Sequence, residues 1–291
     1  MLNMNRRRKT LLRLAGGGLL LGLLAGCVHI PDAAERNGQA LQLAAARGWQ
    51  PLSLRTGSFS LRAYLPASVP ATGTLTVYLE GDGLAWLSAD TPSLDPTPLT
   101  PLSLLLALQD PEPAAYLARP CQYEGVGSEL CAQKYWTSHR FAPEVVQASN
   151  QALDQLKQRF QAQRLVLIGY SGGGTLASLL AARRQDVAGL ITLAANLDHQ
   201  AWTAAKHLSP LAGSLNPADS WQRLQHVPQR HYVGAADRQV GSGPVLSYAA
   251  HFPGTKRPEV VLVPGFDHYC CWQQRWPALK QEALSSWPVS P

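Results

Sequence analysis

Short apolar runs recur along the chain and alternate with segments of helical periodicity. Strand-like runs occupy residues 58–65, 74–79, 114–118, 165–168, 187–194, 230–233 and 259–263. Helices are predicted at residues 32–47 and at 143–160, where apolar residues share one face. The proline-rich segment 88–101 is predicted to be a surface loop. Strands that alternate with helices predict an α/β fold in which helices cover both faces of a mostly parallel sheet.

The beginning of the chain has the pattern of a cleaved export signal. A basic start at residues 6–9 precedes an apolar stretch of 12 residues at 14–25, which is too short to span a bilayer comfortably. The small residues at 25–26 followed by Cys27 resemble the lipobox of bacterial lipoproteins. This resemblance implies that Cys27 becomes the diacylated first residue of the mature chain. An ordinary signal peptide with an incidental cysteine is the alternative.

Removal of this signal changes the charge balance. The chain has 25 Lys and Arg, of which five precede Cys27, and 19 Asp and Glu, all of which follow it, so 20 against 19 leaves a net charge of +1. No basic stripe remains to neutralise phosphates, which argues against a nucleic-acid partner. We divide the chain into a lipoprotein signal peptide (1–26), a linker with a short helix (27–51) and one large α/β domain (52–291).

A Gly-x-Ser-x-Gly motif at residues 169–173 carries the candidate nucleophile. It follows the strand-like run 165–168 and precedes a helix-compatible segment at 174–182. A strand, a tight turn rich in small residues and a helix are typical of a nucleophile elbow, in which the serine hydroxyl stands exposed above the sheet. We therefore predict that Ser171 is the nucleophile.

Two further residues follow strands in the positions that a serine nucleophile needs. A serine reacts only when a base removes its proton and an acid orients that base. Asp237 follows the strand at 230–233, and His268 follows the strand at 259–263. The chain order Ser, Asp, His is that of the α/β-hydrolases.

Over residues 75–287 the chain resembles the α/β-hydrolase superfamily and, more narrowly, uncharacterised proteobacterial lipoprotein hydrolases. The resemblance implies the α/β-hydrolase fold, with a mostly parallel central sheet and helices on both faces. It also implies that Ser171 is the nucleophile, that His268 is the general base and then acid, and that Asp237 holds the imidazole. Asp198, which follows the preceding strand, is the alternative acid.

The oxyanion hole requires two backbone N–H donors. Gly172 is expected to supply one. The other is expected from the loop after the strand at 74–79, where many relatives carry His-Gly and this chain reads Glu-Gly-Asp-Gly. Asp82 or Gly83 is the predicted donor, although a carboxylate so near a developing negative charge is unusual. The Asp82 side chain either contacts a cationic or hydroxyl-rich group of the substrate or serves the turn.

Four cysteines follow Cys27, and in an exported chain they are expected to pair. We prefer a disulfide between Cys121 and Cys131, because it closes a short loop that contains two glycines. Cys270 and Cys271 are then either free or joined to each other, and crosslinks between the two pairs are the alternative. A zinc site is disfavoured because neither pair has C-x-x-C spacing.

Together these features predict an exported, membrane-anchored serine hydrolase that cleaves carboxylic esters. The expected location is the cell envelope, facing the periplasm and anchored in the outer membrane, and no metal or organic cofactor is expected. An amidase or peptidase with the same triad is one alternative. A non-catalytic lipoprotein that binds envelope components is the other. Substrate choice is expected to depend on loops such as 84–113 and 196–222, because the fold alone does not fix function.

Overall fold

A computed structural model describes residues 29–57, 59–123 and 130–287. The predicted signal peptide and the predicted lipidation site Cys27 lie outside the described residues. From Pro31 onward the chain groups into one compact unit. In the described part of the chain, no helix is both long enough and apolar enough to cross a membrane.

One eight-stranded sheet forms the centre of the molecule, with the strand order β1-β2-β4-β3-β5-β6-β7-β8. Only β2 runs antiparallel to its neighbours, and all other adjacent strands are parallel. The strands are β1 (Trp49–Arg55), β2 (Ser60–Pro66), β3 (Thr74–Leu79), β4 (Ala114–Leu117), β5 (Arg164–Tyr170), β6 (Val187–Leu193), β7 (Gln229–Gly234) and β8 (Glu259–Val263). β4 lies on one side of β3 in the sheet, and β5, the next strand in the sequence, lies on the other side of β3. Ligand crevices in open α/β sheets form at the carboxyl ends of strands at such a reversal.

Helices cover both faces of this sheet. They are α1 (Ala33–Ala45), α2 (Leu102–Ala107), α3 (Pro143–Arg159), α4 (Gly172–Ala181), α5 (His199–Lys206), α6 (Trp221–Leu224), α7 (Gly243–Ala250) and α8 (Trp272–Ser285). Successive residues of β5 point to opposite faces, so Leu165 and Leu167 pack with α3, α4 and α7, whereas Val166 and Ile168 pack with α1, α2 and α8. Because both faces of the central strands are covered, these strands read as continuous apolar runs.

The N-terminal boundary differs from the predicted linker at 27–51. A capping box formed by Asp32 and Glu35 starts α1. β1 begins at Trp49 and pairs with β2 along its whole length. The domain thus includes α1 and β1 rather than starting at residue 52. β1 was not predicted because it is an edge strand in which only Leu54 is buried, and Pro51 is tolerated at such an edge.

The segment 88–101 is not simply a surface loop. Ser93 and Thr97 are buried, and the Arg36 side chain from α1 donates hydrogen bonds to the carbonyls of Asp95 and Thr97. The prolines favour an irregular backbone, but the carbonyl groups find partners inside the fold. The following helix α2 was not predicted either, because it is buried on nearly all sides and therefore lacks an amphipathic period.

Candidate active site

Ser171 lies at the turn between β5 and α4 with φ 51° and ψ −124°, a strained conformation for a residue that is not glycine. Two glycines make the turn possible. A Cβ atom on Gly169 would lie 2.3 Å from the carbonyl oxygen of Gly173, and one on Gly173 would lie 2.2 Å from the carbonyl oxygen of Leu79. The serine is partly exposed, so its hydroxyl is available at the carboxyl end of the sheet.

The structure brings the three predicted triad residues into contact. The Nε2 atom of His268 lies 3.0 Å from the Oγ atom of Ser171, and its Nδ1 atom lies 2.8 Å from the Oδ2 atom of Asp237. The candidate nucleophile, base and acid are therefore linked by two hydrogen bonds of the length that proton transfer requires. The three residues come from the loops after β5, β7 and β8.

Asp237 is held by its own turn. Its Oδ1 atom accepts hydrogen bonds from the backbone N–H groups of Gln239 (2.8 Å) and Val240 (3.0 Å), which leaves Oδ2 for His268. Burial opposes ionisation of this carboxyl group, but the hydrogen bond and charge of His268 together with the two N–H groups lower the pKa of Asp237 below its ordinary value. The carboxylate can therefore stabilise an imidazolium.

Asp198, the alternative acid, has a different role. It caps the N-terminus of α5, where its Oδ1 atom accepts hydrogen bonds from the Ala201 N–H and the Asn216 side chain, both at 3.1 Å. Its Oδ2 atom accepts a hydrogen bond from Ser247 at 2.7 Å. Both oxygens are thus used within the fold, and the structure places Asp237 rather than Asp198 against His268.

The sequence analysis did not identify the residues that hold the His268 loop. The backbone carbonyl of His268 accepts hydrogen bonds from the Tyr170 hydroxyl (3.0 Å) and from the Trp272 indole N–H (3.2 Å). The Tyr170 ring also packs against the imidazole, with 5.4 Å between ring centroids. Tyr170 is the first variable residue of the Gly-x-Ser-x-Gly motif. Its position next to Ser171 was the feature of the sequence that could have identified it.

The predicted oxyanion donors lie beside the nucleophile. Among the described residues, the backbone N–H groups of Gly172, Asp82 and Gly83 donate no hydrogen bond. The first N–H groups of a helix lack intrahelical partners, so Gly172 at the start of α4 is available to a ligand. Gly83 has a φ of +65°, and the carbonyl of Pro96 lies against its α-carbon, which fixes the loop that carries Asp82.

The Asp82 side chain is turned toward protein partners. Its two oxygens contact Arg119 and Arg140, and it lies against Gly172, where an added Cβ atom would approach Oδ1 to 2.1 Å. A contact between Asp82 and a cationic group of the substrate was one of the two interpretations of the sequence. The cationic groups that the structure places there belong to the chain itself.

A cavity of about 780 Å³ opens over these residues. Ser171, Gly172 and His268 lie on its floor together with the oxyanion loop, by which we mean residues 80–83. The walls carry many apolar side chains, among them Leu84, Trp86, Leu99, Leu102, Phe141, Trp202, Leu211, Val240 and Tyr269. Most come from the loops 84–113 and 196–222 that the sequence analysis assigned to substrate choice. An apolar cavity with a few convergent polar groups is typical of a small-molecule site.

The described residues contain two disulfides. Cys121 is joined to Cys131, and Cys270 is joined to its neighbour Cys271 at the rim of the cavity. The structure therefore contains the preferred pairing and, for the second pair, the bond between adjacent cysteines. In the described parts of the chain, no group of three or more His, Cys, Asp or Glu residues could hold a metal ion.

Comparisons with known proteins concern the fold. A family model described as the α/β hydrolase fold matches residues 131–252. Similar solved structures include the esterase Est1E from Butyrivibrio proteoclasticus, with 15% identity, a TM-score of 0.53, and coverage of 81% of this chain and 98% of the other. A lidless α/β serine hydrolase from Xanthomonas campestris has 15% identity and a TM-score of 0.54, covering 84% and 97%. An esterase from Pyrococcus furiosus has 13% identity and a TM-score of 0.57, covering 82% and 90%.

The sequence matches no curated protein significantly. At identities of 13–15%, structural similarity establishes architecture rather than activity. The strand order, the parallel sheet between helical layers and these neighbours agree with one another. The chain has the α/β-hydrolase fold.

Proposed function

We propose that the protein is a serine hydrolase that cleaves carboxylic esters. The observation that carries this proposal is the hydrogen-bonded series Ser171, His268, Asp237 at the floor of a cavity that also presents unengaged backbone N–H groups. Nucleophile, base, acid and oxyanion donors are the set of groups that acyl transfer through a serine requires. The apolar walls suit esters with hydrocarbon substituents.

The reaction follows from the geometry. The Ser171 oxygen attacks the ester carbonyl while His268 Nε2 takes the serine proton, and Asp237 stabilises the resulting imidazolium. The carbonyl oxygen becomes an oxyanion, held by the N–H group of Gly172 and by that of Asp82 or Gly83. Collapse of this intermediate expels the alcohol, which receives the proton from His268, and leaves an acyl-serine. A water molecule deprotonated by His268 then releases the acid and restores the serine.

Support for an ester substrate comes from the fold neighbours, two of which are esterases by name. An amidase would use the same triad but must protonate a poorer leaving group. A set of p-nitrophenyl esters of graded acyl length, assayed beside the matching p-nitroanilides, separates the two activities. We expect turnover of esters. Turnover confined to the anilides would replace the ester proposal with the amidase alternative.

Replacement of the nucleophile tests the triad directly. Ser171→Ala should lower turnover by on the order of 10⁶ because the attacking oxygen is removed. Ser178→Ala is the matched control, since the Ser178 hydroxyl is buried in the helix α4 that follows Ser171 and donates a hydrogen bond to the Gly174 carbonyl (2.9 Å). A fluorophosphonate probe should label the wild type and Ser178→Ala but not Ser171→Ala. Absence of both labelling and turnover in the wild type would favour the non-catalytic lipoprotein.

We further propose that the enzyme is exported and held on the cell envelope by lipid on Cys27. The proposal is supported by the basic start of the chain, the short apolar stretch after it and the small residues before Cys27. A single acyl chain holds a protein only marginally, whereas two or three hold it stably. In bacteria, Cys27→Ser should move from the membrane fraction to the soluble fraction. Sedimentation of this variant with the membranes would contradict the anchor.

A further inference from the structure

Asp82 of the oxyanion loop is partly buried and lies between two buried arginines. Asp82 accepts a hydrogen bond from Arg119 Nη1 on Oδ1 at 3.0 Å and from Arg140 Nη1 on Oδ2 at 2.6 Å. The two guanidinium side chains are only 6% and 10% exposed. Each carboxylate oxygen therefore has its own arginine, and two cations share one anion.

The charge state of this cluster is well defined. Burial, the largest single effect on Asp82, would raise its pKa, but the charges of Arg140 and Arg119 lower the pKa below its ordinary value. Burial lowers the pKa of Arg119, and the Asp82 carboxylate offsets this effect. Arginine remains protonated in proteins because its intrinsic pKa is so high. At neutral pH these three groups together carry a net charge of +1, while Glu80 of the same loop is only partly ionised because burial raises its pKa to about 7.

The cluster is in contact with the backbone that binds the oxyanion. Asp82 Oδ1 lies close enough to the Gly172 α-carbon to exclude any side chain there. Arg140 and Asp82 line the same cavity as Ser171. Among the described residues, the Nη2 atom of Arg140 has no hydrogen-bond acceptor, which leaves part of its charge uncompensated.

The arginines are fixed before any substrate binds. Arg140 Nε donates to the Thr137 carbonyl at 2.8 Å, and Arg119 Nη2 donates to the carbonyl of Arg140. The Arg119 guanidinium also lies 4.8 Å from the centre of the Phe141 ring. Charges that are already oriented stabilise a developing anion without reorganisation, and their effect is strongest where water is excluded.

We propose that Arg119 and Arg140 are positioning residues that act through Asp82: they fix the oxyanion loop and place a positive charge beside Gly172 that stabilises the tetrahedral oxyanion. This inference rests on the proposed function. It accounts for the aspartate at position 82, because the charges of the two arginines outweigh that of its carboxylate, so Asp82 brings no net negative charge to the oxyanion hole. The substrate carbonyl is neutral in the ground state, so the added charge favours the transition state and should affect kcat more than KM.

Arg140→Met tests the inference by making the cluster neutral. We expect kcat for a p-nitrophenyl ester to fall about 10- to 100-fold with little change in KM, which is less than the roughly 10²- to 10³-fold loss for a direct oxyanion donor because the arginine acts through Asp82. Arg119→Met also leaves a one-to-one ion pair and should have the same effect, so the test survives if either variant fails to fold. Arg140→Lys keeps the charge and should recover most of the activity.

Arg184→Met is the matched control. Arg184 is also a largely buried arginine bound by two carboxylates, Asp154 and Asp186, but it does not line the cavity. This control should lose stability without loss of kcat. If it loses kcat as strongly as Arg140→Met does at equal folded fraction, the inference is wrong.

A second measurement separates electrostatics from general damage to the site. A trifluoromethyl ketone adds to the serine hydroxyl and forms a tetrahedral oxyanion. The matching ether has no carbonyl group, so it binds without forming an oxyanion. In Arg140→Met the inhibition constant of the ketone should rise in parallel with the loss of kcat/KM, and that of the ether should stay constant. Equal weakening of both inhibitors, or kcat within about twofold of wild type, would overturn the inference while an active wild type leaves the proposed function intact. An inactive wild type would overturn both.

Discussion

Asp237 divides its hydrogen bonds between two tasks. One oxygen is occupied by backbone N–H groups of its own turn, and the other faces the imidazole of His268. The backbone contacts fix the direction of the carboxylate, and the carboxylate in turn fixes which ring nitrogen carries the proton. Asp198 has two occupied oxygens as well, but both serve the cap of α5 and its neighbours.

This difference leads to a prediction for the two aspartates. Asp237→Asn should lower turnover by about 10⁴ because the amide no longer holds the required tautomer. Asp198→Asn should cost much less activity, since its side chain stabilises a helix end rather than the triad. Steady-state kinetics on both folded variants decide the matter. A larger loss of activity in Asp198→Asn would reverse the assignment.

Glu80 is a buried carboxyl group at the start of the oxyanion loop. Its side chain is 1% exposed, Oε1 accepts a hydrogen bond from the Gly81 N–H at 2.9 Å, and Oε2 is buried without a partner in the described structure. Burial raises the pKa of Glu80 from 4.5 to about 7. The unfolded chain therefore releases this proton at lower pH than the folded protein does.

Stability should accordingly depend on pH through this one group. The contribution of protonated Glu80 is complete below about pH 4.5 and is lost as the pH rises through 7, a change on the order of 3 kcal/mol. Glu80→Gln should remove this component and be more stable than wild type at pH 8. Urea unfolding between pH 4 and pH 8 measures it, with the exposed Glu112→Gln as control. An unchanged pH profile in Glu80→Gln would contradict the prediction.

At the scale of elements, the segment after β4 supports the oxyanion loop. Gln122 donates through Nε2 to the Gly81 carbonyl at 3.0 Å, and Arg119 binds Asp82. Cys121, between them, has a φ of 71° and is joined to Cys131. The disulfide therefore restrains the same few residues that hold the loop.

Loss of this disulfide should affect both stability and rate. In the chain-entropy model, a bond across ten residues contributes about 3 kcal/mol. The double variant Cys121→Ser, Cys131→Ser should lose about this much unfolding free energy and also show a lower kcat. The double variant Cys270→Ser, Cys271→Ser is the comparison, because bonding between adjacent residues restrains the unfolded chain far less. Similar losses of stability in both would be inconsistent with this account.

The elements differ in how far the sequence could predict them. β3 and β8 have the predicted bounds, since each is an apolar run that ends at turn residues. α8 was missed because Pro277 lies inside the helix and its tryptophans break the usual amphipathic pattern. β1 was missed for the opposite reason, because an exposed edge strand has little apolar character. Local sequence patterns therefore identify those elements whose apolar residues form a continuous run or recur at the period of a helix.

At the scale of the whole molecule, one part of the candidate site could be predicted from the sequence and another part could not. Ser171, Asp237 and His268 follow strands, and parallel strands bring their carboxyl ends to one edge, so their meeting could be predicted from chain order. The cluster around Asp82 could not, because Arg119 and Arg140 lie 37 and 58 residues away on irregular loops. Only the packing of those loops against the sheet brings the charges together.

The three candidate catalytic residues follow different strands of the sheet. Hydrolytic activity should therefore also report on whether these strands have folded together. Ser171 and His268 are 97 residues apart, and their contact requires β5, β6, β7 and β8 to be in register. Pairings between distant parts of a chain form late, because loop closure costs entropy before the contacts reward it, whereas helices such as α3 form locally and early. After dilution from denaturant, the helical circular dichroism signal should therefore return before hydrolysis does. Recovered activity would then measure the fraction of molecules in which β5, β6, β7 and β8 have paired.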